Sequence, residues 1–283
     1  MIYFSVIIPL FNKAKTIQKT LESVLIQSYP HFEIIVVDDG SMDDGPEIVQ
    51  SLDNPKIRLI RKENGGPGSA RNRGIQEARY PWIVFLDADD LMLEDALGHF
   101  AEALDPDPYA DMVVGNFLLA HGKESHPYHT TLLDTEVKDP FFEWFMKRLM
   151  PCAGTYACKK IILSRYPYKE ELKRSEDTEV LFNVFRASKI LRTNATVMSY
   201  QRDYSVESRK KTGIEQDFQG HLSFDSWKSL WERICLYELY VEAKNNYHEE
   251  VGAIYPNMEK EFFLKAAYHL AFRYRAWQQR KQK

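Results

Sequence analysis

The chain has 283 residues, of which 44% are hydrophobic and 28% charged, and its formal net charge is −4 at pH 7. This is the composition of an ordinary globular protein, and a slightly acidic chain is not expected to bind nucleic acid. Its three cysteines form no even disulfide set and have no zinc-like spacing. We therefore expect one large domain or two modest ones, with the reduced thiols of a cytosolic protein.

The first half of the chain alternates between strand and helix patterns. Apolar runs rich in β-branched residues predict strands at 5–8, 32–37, 57–60 and 82–86. Helical spacing or composition predicts helices between them, at 17–25, 48–52 and 69–79. The order β-α-β-α-β-α-β predicts an α/β fold with a doubly wound, mostly parallel sheet flanked by helices on both faces.

The second half is less regular. The pattern predicts strands at 112–118 and 190–200, helices at 139–150 and 176–188, and helices only beyond Gly213, with a break at Pro256 and Asn257. The N-terminus enters the first strand without a basic n-region, so we expect no signal peptide. No apolar stretch approaches the ~20 residues of a membrane-spanning helix.

An acidic motif, Asp87-Ala88-Asp89-Asp90, follows directly on the apolar run at 82–86. Neighbouring carboxylates repel one another unless a cation lies between them. Mg²⁺ and Mn²⁺ take oxygen ligands, commonly one or two carboxylates and the phosphates of a substrate. Ligands of open α/β sheets bind at the carboxyl ends of strands. The motif therefore indicates a metal site, the alternative being that Asp89 or Asp90 caps the next helix.

A second acidic turn, Asp38-Asp39-Gly40-Ser41, ends the strand predicted at 32–37. Turn chemistry alone explains these residue types. Asp39 nevertheless lies at the same level of the sheet as Asp87, where a carboxylate could accept a hydrogen bond from a nucleobase imide or a ribose hydroxyl. A dinucleotide dehydrogenase is not expected, because the glycine pattern that it needs after its first strand is replaced by Pro9-Leu10-Phe11-Asn12-Lys13.

Four motifs in order carry a resemblance to a known family. They are Val6-Ile7-Ile8-Pro9 with Asn12, Val37-Asp38-Asp39-Gly40-Ser41, Asn64-Gly65-Gly66 with Ala70-Arg71-Asn72, and Phe85-Leu86-Asp87-Ala88-Asp89-Asp90. The sequence resembles the family 2 glycosyltransferases, which have the GT-A fold, strongly over roughly the first 120 residues and weakly to about residue 205. The resemblance implies transfer of a sugar from a nucleotide-diphosphate donor, usually with inversion at the anomeric carbon, and the use of Mn²⁺ or Mg²⁺.

The resemblance also implies roles for individual residues. Asp89, together with Asp87, would hold the metal that bridges the donor phosphates, and Asp90 is the least defined of the three. Arg71 would reach the base or the diphosphate from a helix that follows a glycine-rich loop, the alternative being a solvated helix residue. The residues implied to bind the nucleotide sugar are Pro9, Asn12, Asp39, Gly66, Arg71, Asp87 and Arg202.

The resemblance places the catalytic base at the start of the helix predicted at 176–188. Family members carry a Glu-Asp pair there, and this chain has Ser175-Glu176-Asp177, with serine where the family usually has glycine. Asp177 would take the proton of the acceptor hydroxyl and be held ionised by the helix dipole. The alternative is a helix-capping cluster.

A basic segment follows the strand predicted at 190–200. Tyr200-Gln201-Arg202 and the stretch at 205–209 resemble the family's variable loop that closes over the diphosphate. Positive charge for the leaving group would come from Arg202, Arg209, Lys210 or Lys211, the alternative being a solvated basic loop.

The sequence divides into a nucleotide-sugar-binding half at 1–118, an acceptor-binding half at 119–212 and a helical extension at 213–283. Residues 262–283 contain several basic residues and no acidic residue. One stripe of this helix is apolar, through Phe263, Leu270 and Trp277. Such a helix either makes a peripheral contact with an anionic membrane or packs on the catalytic domain.

The resemblance thus implies an inverting transferase that moves a sugar, most simply from a UDP-sugar, to a glycan or lipid-linked acceptor in bacterial surface polysaccharide synthesis. We expect it to be cytoplasmic, with the membrane contact placing it at the inner face of the cell membrane. A non-catalytic nucleotide-sugar-binding or scaffold protein derived from such a transferase is the alternative.

Overall fold

The computed structural model describes residues 1–122, 124–128, 135–204, 213–224, 229–258 and 261–281. Its first seven elements are β1 (Phe4–Leu10), α1 (Ile17–Leu25), β2 (Phe32–Asp38), α2 (Gly45–Ser51), β3 (Ile57–Arg61), α3 (Pro67–Glu77) and β4 (Trp82–Phe85). The four strands are parallel and lie in the order β3-β2-β1-β4. The predicted alternation of strands and helices is therefore confirmed in this part of the chain.

The later elements extend the same sheet. They are β5 (Leu91–Met92), α4 (Ala96–Leu104), β6 (Met112–His121), β7 (Glu124–Tyr128), β8 (Thr135–Val137), α5 (Pro140–Phe145), β9 (Tyr156–Lys159), α6 (Lys160–Arg165), α7 (Glu176–Ala187) and β10 (Ile190–Gln201). The sheet order is β3-β2-β1-β4-β9-β6-β10-β5, with β7 on β6 and β8 on β10. β10 is parallel to β6, whereas β9 is antiparallel to both β4 and β6.

The chain after β4 differs from the sequence prediction in several elements, since β5, β7, β8, β9, α4 and α6 were not among the predicted elements. The helix predicted at 139–150 ends at Phe145, and the chain turns at Lys147, which has a left-handed φ of 58°. The short strand β9 is not indicated by the sequence, because four residues carry too little periodicity to mark a strand. That strand nevertheless joins the two parallel parts of the sheet.

Alternate residues of the central strands enter two apolar layers. Val6 and Ile8 pack with Leu21 of α1 and Phe100 of α4, whereas Ile7 belongs to the layer on the opposite face. Burial of such a side chain contributes ~1.5–3 kcal/mol, and a slip by one residue would move every side chain to the wrong face. The register of the parallel strands is thereby fixed, so that β1, β2 and β4 end at the same edge of the sheet.

The C-terminal extension contains α8 (Leu230–Asn246), α9 (His248–Ile254) and α10 (Phe262–Lys281), after two short 3₁₀ helices, Ile214–Gln216 and Phe218–Gly220. Helix α8 packs on α5, and α10 packs on α8. A buried ion pair of 2.8 Å joins Arg275 to Glu238 of α8. Over the described ranges, no helix has both the length and the apolar character needed to cross a membrane.

Helix α10 packs through a different face from the stripe that the sequence suggests. Leu264, Tyr268 and Ala271 are buried, whereas Phe263 and Leu270 of the predicted stripe are 86% and 68% exposed. The packing alternative is therefore correct for one face of this helix, while Phe263, Leu270 and Trp277 of the predicted stripe are exposed and Ala267 packs against the core.

Candidate active site

A cavity of about 540 Å³ opens where β1, β2 and β4 end and where α7 begins. Its wall brings together residues of both halves of the chain. The predicted site residues in this wall are Pro9, Asp39, Gly66, Arg71, Asp87, Asp89 and Asp177. They converge because parallel strands in register end at one edge of the sheet, where loops carry the polar side chains.

Asp39 lies buried at the end of β2 and holds the glycine loop in place. Its carboxylate accepts hydrogen bonds from the backbone N–H groups of Gly65 at 3.0 Å and Gly66 at 2.7 Å, and from the Lys62 ammonium. Gly66 has a φ of 92°, which a side chain would strain. Asp39 thus lines the cavity itself and also fixes the glycine loop that forms the adjacent part of the cavity wall.

Two of the predicted nucleotide-sugar contacts lie outside the cavity wall. Asn12 has a φ of 52°, and its Oδ1 accepts a hydrogen bond of 2.8 Å from the N–H of Met42, so that it ties the loop after β1 to the loop after β2. Arg202 is exposed in the 3₁₀ helix after β10, and its neighbour Gln201 lines the cavity instead. The stretch at 205–209, with Lys210 and Lys211, lies outside the described residues.

The acidic motif after β4 forms a tight turn whose carboxylates have separate partners. Asp87 Oδ1 accepts a hydrogen bond of 3.0 Å from Arg71, and its side chain is 40% exposed. Asp89 Oδ2 lies 2.7 Å from the Lys13 ammonium. Burial raises the pKa of Asp89, and the Lys13 charge opposes that rise. Each of the two predicted metal ligands therefore already neighbours a positive charge.

Asp90 is not a helix cap. Helix α4 begins only at Ala96, and the residue that precedes it is Asp95. Asp90 is buried and its Oδ1 accepts a hydrogen bond of 2.8 Å from the backbone N–H of Gln201. Burial, reinforced by the nearby Asp87 charge, raises the pKa of Asp90 to about 8. This carboxyl group therefore fastens the end of β10 to the turn, and the capping alternative for Asp90 is wrong.

A divalent cation fits the turn only with help from a substrate. Among the described residues there is no group of three or more His, Cys, Asp or Glu side chains placed to hold a metal. Mg²⁺ and Mn²⁺ need only one or two carboxylates when substrate phosphates complete the shell. Asp87 and Asp89 could supply such a pair, and Asp89 already neighbours one positive charge, the Lys13 ammonium.

Arg71 links the two halves of the site. Its guanidinium donates to Asp87 at 3.0 Å and to Glu176 Oε1 at 2.7 Å. It is 8% exposed and lies over the ring of Tyr168, so the alternative of a solvated helix residue is wrong. A planar fork of donors suits such a double contact. The acidic turn of the first half and the Glu-Asp pair of the second half are thereby held at a fixed separation.

Asp177 lies in the first turn of α7, which follows Ser175 in a left-handed conformation with a φ of 55°. Burial, together with the charge of Glu176, raises the pKa of Asp177 to about 6, against the opposing effect of Arg71. Asp177 is therefore still ionised at neutral pH, with burial and Glu176 opposing its ionisation. A carboxyl group with a pKa near 6 suits a general base at neutral pH.

The loop before α7 is held by the C-terminal extension. Asp217 is fully buried; its Oδ2 accepts a hydrogen bond of 2.8 Å from the Tyr247 hydroxyl and lies 3.4 Å from Arg174 Nε. The backbone of Lys173 donates to Gln216 O at 2.8 Å. The position of Asp177 thus depends on contacts from beyond residue 213.

A second cavity, of about 400 Å³, adjoins the first and shares Arg71, Asp87, Asp177 and Tyr200 with it. The rest of its wall is largely aromatic or aliphatic, with Phe85, Phe117, Leu119, Tyr156, Tyr168 and Leu181. Cys152 also lines it, and burial raises the pKa of that thiol far above its usual range. The thiol is therefore protonated and unreactive at neutral pH.

Three residues of this site were given no role by sequence reasoning. Lys13 reaches Asp89 across 76 positions of the chain, Glu176 binds Arg71, and Asp217 supports the loop before α7. The Glu-Asp pair is a signal for Glu176. No local pattern marks the other two, because their partners are distant in sequence.

The chain is similar in sequence to a known protein family and to several glycosyltransferases. Residues 5–186 match the model of glycosyl transferase family 2. The succinoglycan biosynthesis protein ExoO of Rhizobium meliloti is 42% identical over 100 residues, which are 35% of this chain and 29% of that protein. An uncharacterized glycosyltransferase of Rickettsia prowazekii is 25% identical over 272 residues, 94% of this chain and 83% of that protein.

The fold is shared with a solved structure. S. aureus TarS in complex with UDP-GlcNAc superposes with a TM-score of 0.72 at 20% identity, covering 92% of this chain and 77% of that one. The GT-A fold expected from the sequence is therefore confirmed. In seven of the curated relatives, ExoO among them, the matched part is only 16–38% of the relative's own length.

Proposed function

The chain belongs to glycosyl transferase family 2, and from that premise we propose that it moves a sugar from a nucleotide-diphosphate sugar to a hydroxyl group of a glycan or lipid-linked acceptor. The proposal rests on one arrangement of side chains in the cavity wall. Arg71 joins the acidic turn, through Asp87, to Glu176, whose neighbour Asp177 has a pKa suited to a base. A donor diphosphate near the turn and an acceptor near Asp177 would meet in one cavity.

The proposed reaction is a single displacement with inversion. Asp177 takes the proton of the acceptor hydroxyl as that oxygen forms a bond to the anomeric carbon. The bond between the anomeric carbon and the diphosphate oxygen breaks, and its electron pair leaves with the nucleotide diphosphate. Arg71 holds Asp87 and Glu176 in place during this step.

We propose that Asp87 and Asp89 hold Mn²⁺ or Mg²⁺ when the donor is bound. The cation would neutralise charge on the departing diphosphate. Support comes from the two carboxylates at the cavity wall and from the family to which the chain belongs. The nucleoside would lie beyond them, against Pro9, Asp39 and Gly66.

The second cavity suits the acceptor or the sugar being transferred. Aromatic rings offer broad apolar faces, and the C–H faces of a sugar ring can lie on them. Phe117 and Tyr156 are two of the rings that line this cavity. Asp177 lies in its wall as well, so an acceptor hydroxyl bound in this cavity would lie beside the proposed base.

The relatives support the choice of donor and pathway. ExoO is named for succinoglycan biosynthesis, and TarS is complexed with UDP-GlcNAc. We therefore propose a UDP-sugar, hexosyl or N-acetylhexosaminyl, as the donor and surface polysaccharide synthesis as the process. The regions 1–118, 119–212 and 213–283 would serve donor binding, acceptor binding and support of the site.

We further propose that the protein works in the cytoplasm at the inner face of the membrane, through α10. The outward stripe of this helix includes Phe263 and Leu270. Lys265 and Arg273 are exposed on the same helix, and cationic side chains beside an apolar stripe favour an anionic lipid surface.

Donor hydrolysis tests the central proposal. The purified protein would be incubated with UDP-, GDP- and dTDP-sugars and Mn²⁺, and the released nucleotide diphosphate would be measured. We expect slow hydrolysis of one UDP-sugar by the parent protein and none by Asp177→Asn. Binding of a nucleotide sugar without hydrolysis or transfer under any of these conditions would favour the non-catalytic alternative.

A further inference from the structure

Lys13 is a cation built into the donor side of the cavity. Its ammonium lies 2.7 Å from Asp89 Oδ2, and the two side chains are 22% and 14% exposed. Both residues line the large cavity. The pair is therefore a contact inside the site, partly shielded from water, and the carboxylate concerned is one of the two proposed metal ligands.

The backbone around Lys13 is held on both sides. The N–H of Asn12 donates to Ser41 Oγ at 3.1 Å, and the N–H of Ala14 donates to Asp43 Oδ2 at 2.8 Å. The preceding residue, Asn12, is held in the left-handed region. The direction in which Lys13 leaves the backbone is consequently set by the loop after β2, and its ammonium is preorganised toward the acidic turn.

The charges of the cavity explain why a cation is needed there. The wall contains the carboxylates of Asp39, Asp87, Asp89, Glu176 and Asp177 and the cationic side chains of Lys13, Arg71, Lys173 and Arg174. A diphosphate placed at the acidic turn would be repelled by Asp87 and Asp89 unless positive charge lies beside them. A divalent cation on Asp89 and the Lys13 ammonium at its present place would in turn repel each other, because like charges a few ångströms apart interact strongly in a partly buried site.

We propose that Lys13 is a resident counter-cation of the donor site, which holds Asp89 before the donor binds and moves to the donor diphosphate when metal and nucleotide enter together. It opposes binding of the metal alone and favours binding of the metal with the nucleotide. This inference rests on the proposed function, because it assumes a diphosphate donor and a divalent cation at the acidic turn.

Mn²⁺ binding measured without any turnover tests the inference. Free Mn²⁺ would be followed by electron paramagnetic resonance in titrations of the parent protein and Lys13→Met. We expect the variant to bind Mn²⁺ alone about two- to fivefold more tightly, the effect of losing a competing, partly exposed ion pair. We expect its affinity for UDP in saturating Mn²⁺ to fall roughly tenfold, because a charge-assisted contact to phosphate is lost.

Matched variants separate this role from a general change in charge. Lys15→Met removes an exposed lysine of the same loop and should leave both affinities near those of the parent. Lys13→Arg keeps the charge and should not gain Mn²⁺ affinity, and Lys13→Gln repeats the test if the methionine variant does not fold.

Two outcomes would overturn the inference in distinguishable ways. In the first outcome, Lys13→Met and Lys13→Gln bind Mn²⁺ no more tightly than the parent, while UDP binding by the parent depends on Mn²⁺. That result would overturn the role of Lys13 and leave the proposed metal site standing. UDP binding by the parent that does not depend on Mn²⁺ would overturn both this inference and the proposed metal site.

Discussion

In the first half of the chain, Asp39 and Asp87 lie just beyond the ends of buried parallel strands. In the second half, Asp177 lies at the start of a helix whose preceding loop is held by other parts of the chain. The first pair is placed by strand register, since β1, β2 and β4 end at one edge. Asp177 is placed by Arg71 through Glu176 and by Asp217 through Arg174. Backbone hydrogen bonding thus positions one side of the site, and long-range side-chain contacts position the other.

This difference suggests different sensitivities to mutation. Substitutions at the strand ends should affect the chemistry of the donor while leaving the fold intact, because the sheet itself sets the backbone there. Substitutions in the contacts around α7 should affect both the position of the base and stability, because those contacts are buried ion pairs.

Removal of Asp89 should have the largest effect on activity. Asp89→Ala leaves only Asp87 of the proposed metal pair, so we expect turnover to fall to background, and EDTA to do the same to the parent protein. Donor hydrolysis and thermal unfolding would be measured together, with unfolding close to that of the parent. Asp95→Asn, at an exposed position outside the cavity, is the control. Full activity of Asp89→Ala in the presence of EDTA would contradict the metal site.

Loss of the base carboxylate should have the second largest effect on activity. Asp177→Asn should lose roughly a hundredfold or more in turnover and keep nearly the parent's affinity for UDP, because the side chain has almost the same size. Glu179→Gln is the matched control, since Glu179 lies in the same turn but pairs with Lys169 at 3.1 Å. If the turnover of Asp177→Asn stays within a few-fold of the parent value, Asp177 is only part of the cluster that caps α7, and another residue must be the base.

The pH dependence of turnover examines the same carboxyl group. Because burial raises the pKa of Asp177 to about 6, the base is protonated and inactive below that pH and ionised above it. Donor hydrolysis by the parent should therefore rise through about pH 6 and level off toward pH 7, with a bound cation shifting the midpoint lower. A rate that is flat from pH 5 to 7.5 would argue against a titrating base.

The stability of an Arg71 variant tests the connection between the two halves of the site. Arg71→Met leaves Asp87 and the buried Glu176 without their guanidinium partner, and removal of one member of a buried pair costs about 3–5 kcal/mol. Urea unfolding should show a loss of this size. Arg73→Met removes an exposed pair with Glu77 in the same helix and should change stability by no more than ~0.5 kcal/mol. Equal stabilities of the two variants would show that the link is not structural.

The support from the C-terminal extension should have a smaller effect. Asp217→Asn weakens the hold on Arg174, so we expect turnover to fall roughly tenfold through displacement of the base, while UDP affinity stays near the parent value. Tyr247→Phe removes the hydrogen bond from the Tyr247 hydroxyl to Asp217 and should cost about 1 kcal/mol of stability. A parallel loss of UDP affinity in Asp217→Asn would indicate a general change of fold instead.

The smallest effect is expected at the outward face of α10. Each exposed cationic side chain near an anionic surface contributes ~1 kcal/mol, so the double variant Lys265→Glu with Arg273→Glu should sediment less with anionic vesicles at low salt. High salt should release the parent protein, and donor hydrolysis should be the same in both. Failure of the parent to bind anionic vesicles at low salt would leave α10 as a packing helix alone.

Much of the donor side was predictable from the sequence. Strand signals followed at once by acidic turns placed Asp39, Asp87 and Asp89 correctly at one edge of the sheet. The first four strands and the three helices between them were predicted for the same reason, because local periodicity decides them. The short strand β9 and the early end of α5 were not, since four-residue strands and single left-handed residues leave little trace in a sequence.

What the sequence by itself determined is the class of the fold, the family and the residue types of the site, because these follow from local patterns of burial and from ordered motifs. Only the tertiary structure decided how these residues are paired. The partners Lys13 and Asp89 are 76 positions apart, and Arg71 and Glu176 are 105 positions apart. Contacts across such separations depend on the packing of the whole chain, which no local pattern records.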